Sequence, residues 1–315
     1  MAEFEIYNRR NFIGAILKTV ALMGFAGLPV DLLAAKNIVR ITILHTNDTH
    51  SRIDPFPMND PKYPGMGGVA RRKELINKIR SENEHVLLLD SGDIFQGTPY
   101  FNLYGGEVEF KMMTQLKYDA STLGNHDFDN GISGFVKQLP HAGFPFLNVN
   151  YDFSKTELKE KTLPYKIFEN GGIKTGVFGV GIELKGLVEE KLYGNTIYLD
   201  PVETAQATAT QLKKKHHCDL VICLSHLGYK YENQNKISDE QLAKKTNDID
   251  LILGGHTHTF LDQPERFSNK SGKDVLVAQA GWAGIRLGRI DFLVEKKTGK
   301  VFSSGSSEKV STKSS

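Results

Sequence analysis

Residues 123–129 place Asn125, His126, Asp127 and Asp129 directly behind Gly124. Few heptapeptides hold so many groups able to bind metal or move protons. Four other stretches share this character: residues 47–50, with Asp48 and His50; residues 91–93, with Asp93; the pair Ser225 and His226; and residues 254–258, with His256 and His258. Together they offer two carboxylates (Asp48, Asp93), one amide oxygen (Asn125) and four imidazoles (His50, His226, His256, His258). That is too many for one tetrahedral ion and suits two ions sharing a bridging carboxylate. Nitrogen and oxygen donors fit zinc, manganese, iron or cobalt, and the carboxylates also fit magnesium, so the metal stays open. Asp48 and His50 point the same way if the backbone between them is extended. Asp90 competes with Asp93 for the bridge, and spacing alone does not separate them. Each piece alone reads as a turn or cap residue. Their joint occurrence, each supplying a donor the others lack, reverses that reading. His45, His85, His141, His216 and His217 have no companion carboxylate at ligand spacing and are read as structural or solvent-exposed. His45 and Asp54 lie near enough to support the site.

The elements that must position these groups alternate. Apolar or β-branched runs predict strands over residues 38–44, 86–89, 146–149, 166–168, 175–180, 220–224, 251–253, 275–278 and 287–294. Helical spacing or composition predicts helices over 69–79, 107–116, 131–139, 202–217 and 238–246, the last with Ser238 as N-cap and Gln241 as its capping-box partner. Strand, donor-rich loop and helix in repetition imply an α/β fold with substantial parallel pairing. In such sheets ligands bind beyond the carboxyl ends of strands. All five chemical pieces follow a predicted strand at once, with residues 119–123 leading into the one at Gly124, which is the bottom-up reason to gather them at one site.

The 315 residues show no internal repeat and no Pro/Ser/Gly-rich linker, so one large domain over 36–300 is expected, followed by a polar, disordered tail over 301–315. Net charge is +2 and no Lys/Arg block stands out, which argues against a nucleic-acid polymer as partner. Cys218 and Cys223 flank a strand-like run spanning roughly 16 Å. A disulfide tolerates a Cα separation of roughly 7 Å, so no bridge is expected. Arg9 and Arg10 precede an apolar stretch and then the small residues Ala34 and Ala35. This describes an export signal over 1–35 of the twin-arginine type and a periplasmic destination. An uncleaved membrane anchor is the alternative, although Lys18 interrupts the stretch.

The five blocks, with residues 44–50, 91–97, 225–228, 280–282 and 288–290 extending them, resemble the calcineurin-like metallophosphoesterases. Within these they are most similar to the N-terminal catalytic domain of the 5′-nucleotidase and UDP-sugar hydrolase family, in order and over residues about 40–294. The resemblance implies a four-layer αββα sandwich with two mixed sheets. It implies one ion on Asp48, His50, Asp93 and His258, and a second on Asp93, Asn125, His226 and His256, with Asp93 bridging. Position 258 is often Gln or Asn in nucleotidase relatives, so His258 is a departure affecting metal preference. The ions would clamp the attacking and leaving oxygens and activate water. His126, oriented by Asp129, would face the phosphoryl group, while Asp127 is read as a structural neighbour.

The expectation is therefore an exported two-metal phosphoesterase acting on phosphate monoesters, foremost 5′-nucleotides. Phe56, Tyr63, Tyr100, Tyr104 and Phe128 are candidate contacts for an aromatic leaving group. The C-terminal domain that stacks the base in the family has no counterpart in these blocks, so a separately encoded one is a candidate partner. Cyclic-nucleotide phosphodiesterase and thiosulfohydrolase chemistry are the alternatives on the same scaffold. A non-catalytic metal- or partner-binding subunit is the alternative outside enzymes.

Overall fold

A computed structural model describes residues 38–233 and 236–311. The first sheet contains β1 (Ile38–Thr46), β2 (Val86–Asp90), β3 (Ala120–Ser121), β12 (Arg286–Glu295) and β13 (Lys300–Lys309), in the order β13-β12-β1-β2-β3. The second contains β5 (Tyr165–Asn170), β6 (Ile173–Val180), β8 (Leu220–Ser225), β9 (Leu251–Leu253), β10 (Glu265–Ser268) and β11 (Asp274–Ala278), in the order β10-β11-β9-β8-β6-β5. Both are mixed: β1, β2 and β3 run parallel, as do β6, β8, β9 and β11, with antiparallel strands at the edges. A small ribbon, β4 (Tyr151–Asp152) with β7 (Ile197–Tyr198), lies apart.

Strand alternation sorts the side chains into layers. Ile41, Ile43, Leu87, Leu89 and Ile290 from the first sheet meet Leu220, Ile222, Leu224, Leu251 and Leu253 from the second, all buried. The opposite face of the first sheet, with Leu44 and Leu88, is covered by α1 (Val69–Glu82), α3 (Glu107–Gln115) and α4 (Gly131–Gln138), through Ile76, Phe110 and Phe135. The opposite face of the second, with Val221, Cys223 and Ile252, is covered by α6 (Pro201–Lys214) and α7 (Asp239–Lys245), through Ala209, Leu212 and Leu242. This is the four-layer sandwich expected from the sequence. Each such Leu, Ile or Phe contributes roughly 1.5–3 kcal/mol over its exposed state. Two short helices complete the set, α2 (Pro99–Tyr104) and α5 (Glu190–Tyr193).

Ser238 caps α7, its hydroxyl accepting the N–H of Gln241, which is half of the expected capping box. Cys218 and Cys223 are buried free thiols. Residues 146–149, expected as a strand, form only single bridges, Ser121 to Phe146 and Leu147 to Leu163. The larger correction concerns the tail. Residues 301–309 are not disordered but belong to β13, paired with β12 from Glu295–Lys300 to Arg286–Lys309. The N–H of Gly67 then donates to the Val310 carbonyl, and Val310 is buried. Pairing with a long neighbour overrides the weak strand propensity of a Ser/Lys-rich segment. The export signal expected over 1–35 and residues 312–315 lie outside the described residues.

Candidate metal centre

The parallel strands of both sheets point their carboxyl ends at one place. The Ser91 hydroxyl after β2 donates to the Leu253 carbonyl of β9, tying the sheets together there (2.7 Å). Five donor-bearing loops emerge at that seam, after β1, β2, β3, β8 and β9. Their backbone is unusual. Asp48, His50, Asp93, His256 and His258 all have positive φ, between 46° and 68°. A left-handed conformation costs a non-glycine residue roughly 1–2 kcal/mol, so strain is concentrated at the site. The extended backbone expected between Asp48 and His50 is therefore absent; two left-handed residues turn both side chains inward instead.

The donors fall into two groups. In one, atoms of Asp48, His50 and His258 lie within 4.8 Å of one another; in the other, Asp93, His226 and His256 do so. Asn125 joins the second group, its Oδ1 2.8 Å from His256 Nδ1. Asp93 reaches both, with Oδ2 3.1 Å from His226 Nε2 and 3.9 Å from His50 Nε2. All seven expected donors are thus brought together. Asp90 is not among them: its carboxylate points inward to Thr46, Ser121 and the N–H of Gly92, and burial raises its pKa to about 6.

These residues suit divalent ions on three counts. His50 Nδ1 faces the Phe95 carbonyl and His226 Nδ1 the Ser91 carbonyl, which puts both protons on Nδ1 and leaves both Nε2 lone pairs facing the cluster. His226 Nε2 is buried and, although 3.1 Å from Asp93 Oδ2, makes no aligned hydrogen bond among the described residues. His50 and His258 bring Nε2 atoms to 3.1 Å, near the ~3.3 Å edge of a tetrahedron with zinc–nitrogen bonds. Burial opposes charging His226, yet Asp93 and Asp48 push it up to about 10; the two carboxylates draw positive charge to this point. Burial lowers His256 to about 4, keeping its ring neutral as a donor must be.

Two residues outside the donor set shape it. The Asp127 carboxylate accepts the N–H groups of Gly124, Asp93 and Ile94 at 2.8–3.0 Å and of Phe95 at 3.3 Å, and so fixes the loop that carries Asp93. Gly124 is required because a Cβ there would sit 2.1 Å from Asp93 Oδ1. His126 donates its backbone N–H to Asp93 Oδ1 (2.8 Å), and its ring lies 5.3 Å from that of His50. Its Nδ1 meets Asp129 Oδ2 at 2.8 Å. That hydrogen bond, against opposing burial, holds His126 above the usual imidazole range.

Beside the donors lies a cleft of about 190 Å³ lined by Arg52, Gln96, His126, His258 and Trp282. Sequence reasoning missed Arg52 and Gln96. Trp282 stood within a matched block, without a role. Of the aromatics expected there, Phe128 is buried against Tyr151, and Phe56 packs under Trp282. Tyr100 is hydrogen-bonded to Asp54 outside the cleft lining. His45 is buried on β1, and burial lowers its pKa to about 4.

Comparison with known proteins settles the family. The calcineurin-like phosphoesterase profile matches residues 41–260. The chain is a calcineurin-like phosphoesterase. It is 34% identical over 295 residues to the snake venom 5′-nucleotidase of Crotalus adamanteus, covering 87% of this chain and 48% of that protein. With the 5′-nucleotidase of Vibrio cholerae it shares 38% over 262 residues, 78% of this chain and 46% of the other. The structure resembles the 5′-nucleotidase precursor of Thermus thermophilus with a TM-score of 0.77 and 33% identity, over 86% of this chain and 55% of that one. The phosphoesterase thus spans about half the length of the relatives it matches. It is a hydrolase related to the 5′-nucleotidases, with two candidate metal-binding groups. Among the described residues, no helix is long and apolar enough to cross a membrane.

Proposed function

We propose that this phosphoesterase removes phosphate from phosphate monoesters, foremost 5′-nucleotides, using two divalent ions. Asp48, His50, Asp93 and His258 would hold one, and Asp93, Asn125, His226 and His256 the other. The observation that carries this reading is the pair of donor groups meeting at Asp93, with the His126 ring beside them. When bound, the ions would supply Lewis-acid charge to the phosphoryl oxygens and acidify the attacking water. The chain's own part is orientation and proton transfer. Asp129 fixes His126 Nδ1, which leaves Nε2 free to face the phosphoryl group. Its raised pKa favours the protonated ring, and in that form His126 can donate a proton to the leaving oxygen. Relatives named 5′-nucleotidases support the choice of substrate. Export by the twin-arginine route, and a separately encoded base-binding domain docking on this one, belong to the same proposal.

The test is metal analysis of protein purified without added ions, followed by a panel of AMP, UDP-glucose, a cyclic nucleotide and bis-p-nitrophenyl phosphate with manganese or cobalt. AMP is expected to be hydrolysed best. His126→Ala is expected to lower kcat by roughly 10²- to 10⁴-fold with metal content unchanged. Preference for the cyclic nucleotide would overturn the substrate assignment, and wild-type turnover by His126→Ala would overturn the role of His126.

A further inference from the structure

Among the described residues, Arg52 is the one permanent cation lining the cleft beside the donors, and its setting is that of an anion receptor. The half-buried guanidinium lies 4.2 Å over the Phe56 ring. Phe56 is buried and packs edge-on against Trp282, with centroids 5.8 Å apart at 70°. Trp282 in turn stacks face-on with His258, 5.6 Å apart at 4°. Guanidinium, phenyl, indole and imidazole thus form one continuous wall that ends at a candidate metal donor. Packing on a ring holds the planar fork in place and leaves its N–H edge free to bind.

A comparison within the same wall shows what is unusual. Arg286 also lies over a ring, that of Phe260 at 5.1 Å, but it is ion-paired with Asp262. Among the described residues, Arg52 forms no ion pair. The acid that feels its charge, Asp60, is half-buried and occupied with the N–H groups of Lys62 and Tyr63. A positioned, uncompensated guanidinium in a cleft raises the local concentration of anions and matches phosphate oxygens two at a time. Gln96, non-glycine with φ 69°, is turned to the same cleft from the loop after Asp93 and adds a neutral amide.

We propose that Arg52 binds the substrate's phosphate, contacting oxygens of the phosphoryl group that the metal ions do not hold, and so sets affinity for dianionic monoesters over singly charged diesters. This rests on the phosphomonoesterase reading above. It assigns Arg52 to binding and not to proton transfer.

The experiment compares wild type, Arg52→Gln and Arg52→Lys, all loaded with manganese. Inorganic phosphate binding is measured by calorimetry, and KM and kcat for AMP and for bis-p-nitrophenyl phosphate. Arg52→Gln is expected to weaken phosphate binding and raise KM for AMP by roughly 10- to 100-fold, the scale of a charge-assisted hydrogen bond. Metal content, kcat and the diester KM should stay close to wild type. Arg52→Lys, which keeps the charge but loses the fork, should fall between. Unchanged phosphate affinity in Arg52→Gln would overturn the proposal, as would equal losses for monoester and diester. Failure of the wild type to hydrolyse any monoester would instead overturn the functional reading, while the calorimetric comparison would still judge Arg52.

Discussion

The two donor groups are built differently. The inner one, Asp93, His226 and His256, is held by backbone. His226 is fully buried with Nδ1 on the Ser91 carbonyl, and the Asp93 loop hangs from three N–H bonds to Asp127. The outer one, Asp48, His50 and His258, has His50 on the Phe95 carbonyl but is finished by the side-chain stack at His258. The His258 side chain is 40% exposed and lies against a half-buried Trp282. Backbone-held donors keep their geometry before an ion arrives. A donor resting on a ring stack must be ordered by the ion, and that ordering is subtracted from affinity. The inner group should therefore bind more tightly, and the outer group should be where metal identity and substrate approach are tuned.

The sharpest way to break this contrast is at the residue the groups share. Asp93→Asn removes the charge nearest to His226 that also reaches His50, and leaves His226 buried without its closest partner. Uncompensated buried charge costs about 3–5 kcal/mol, so turnover should fall by roughly 10²- to 10³-fold or more. Metal content should fall for both ions. Loss of only the inner ion, read by metal analysis after desalting, would show that the groups are independent and that Asp93 does not bridge them.

The same division explains what could be read from the sequence. Five donor loops were legible because each follows an apolar run, and strand ends in parallel sheets meet at one edge. The helices at 69–82 and 201–214 were legible from spacing and from Pro201. The strain that aims the donors was not, because Asp48, Asp93 and His256 give no local sign of a left-handed φ. Asp127 was legible only as a neighbour; three of its four N–H bonds exist because residues 93–95 fold back over it. Arg52 and Trp282 meet across more than two hundred residues, through β12 returning beside β1, and no local pattern encodes that. β13 was misread because its Ser/Lys composition resembles a tail, while the information sits in its partner.

A smaller effect belongs to the His126–Asp129 pair, which serves the outer group's open side. Asp129→Asn removes the largest influence raising the His126 pKa. With a raised pKa in the fold, the protonated form persists to higher pH, and activity that needs it is lost as pH rises through that value. In Asp129→Asn the basic limb of the kcat profile should therefore move to lower pH. The neutral-pH rate should fall by roughly 10- to 100-fold, the usual effect of an orienting partner. An unmoved basic limb would show that some other group donates the proton.

The least severe change probes the outer group directly. The protein has a single tryptophan, Trp282, and it stacks on His258, so its emission reports the outer group alone. Titrating the metal-free protein with zinc or manganese should give two steps. The first equivalent fills the inner group and leaves the emission nearly unchanged; the second orders His258 and shifts it. His258→Gln offers an amide oxygen in place of the imidazole nitrogen and loses the ring stack. The second step should then lose its optical signal and weaken by about tenfold, with zinc losing more than manganese because zinc favours nitrogen donors. Turnover with saturating manganese should drop only a few-fold, since Asp48, His50 and Asp93 remain. If the emission shift instead accompanies the first equivalent, the outer group fills first. Ring stacking would then order a donor as effectively as backbone does, and the contrast between the two groups would fail.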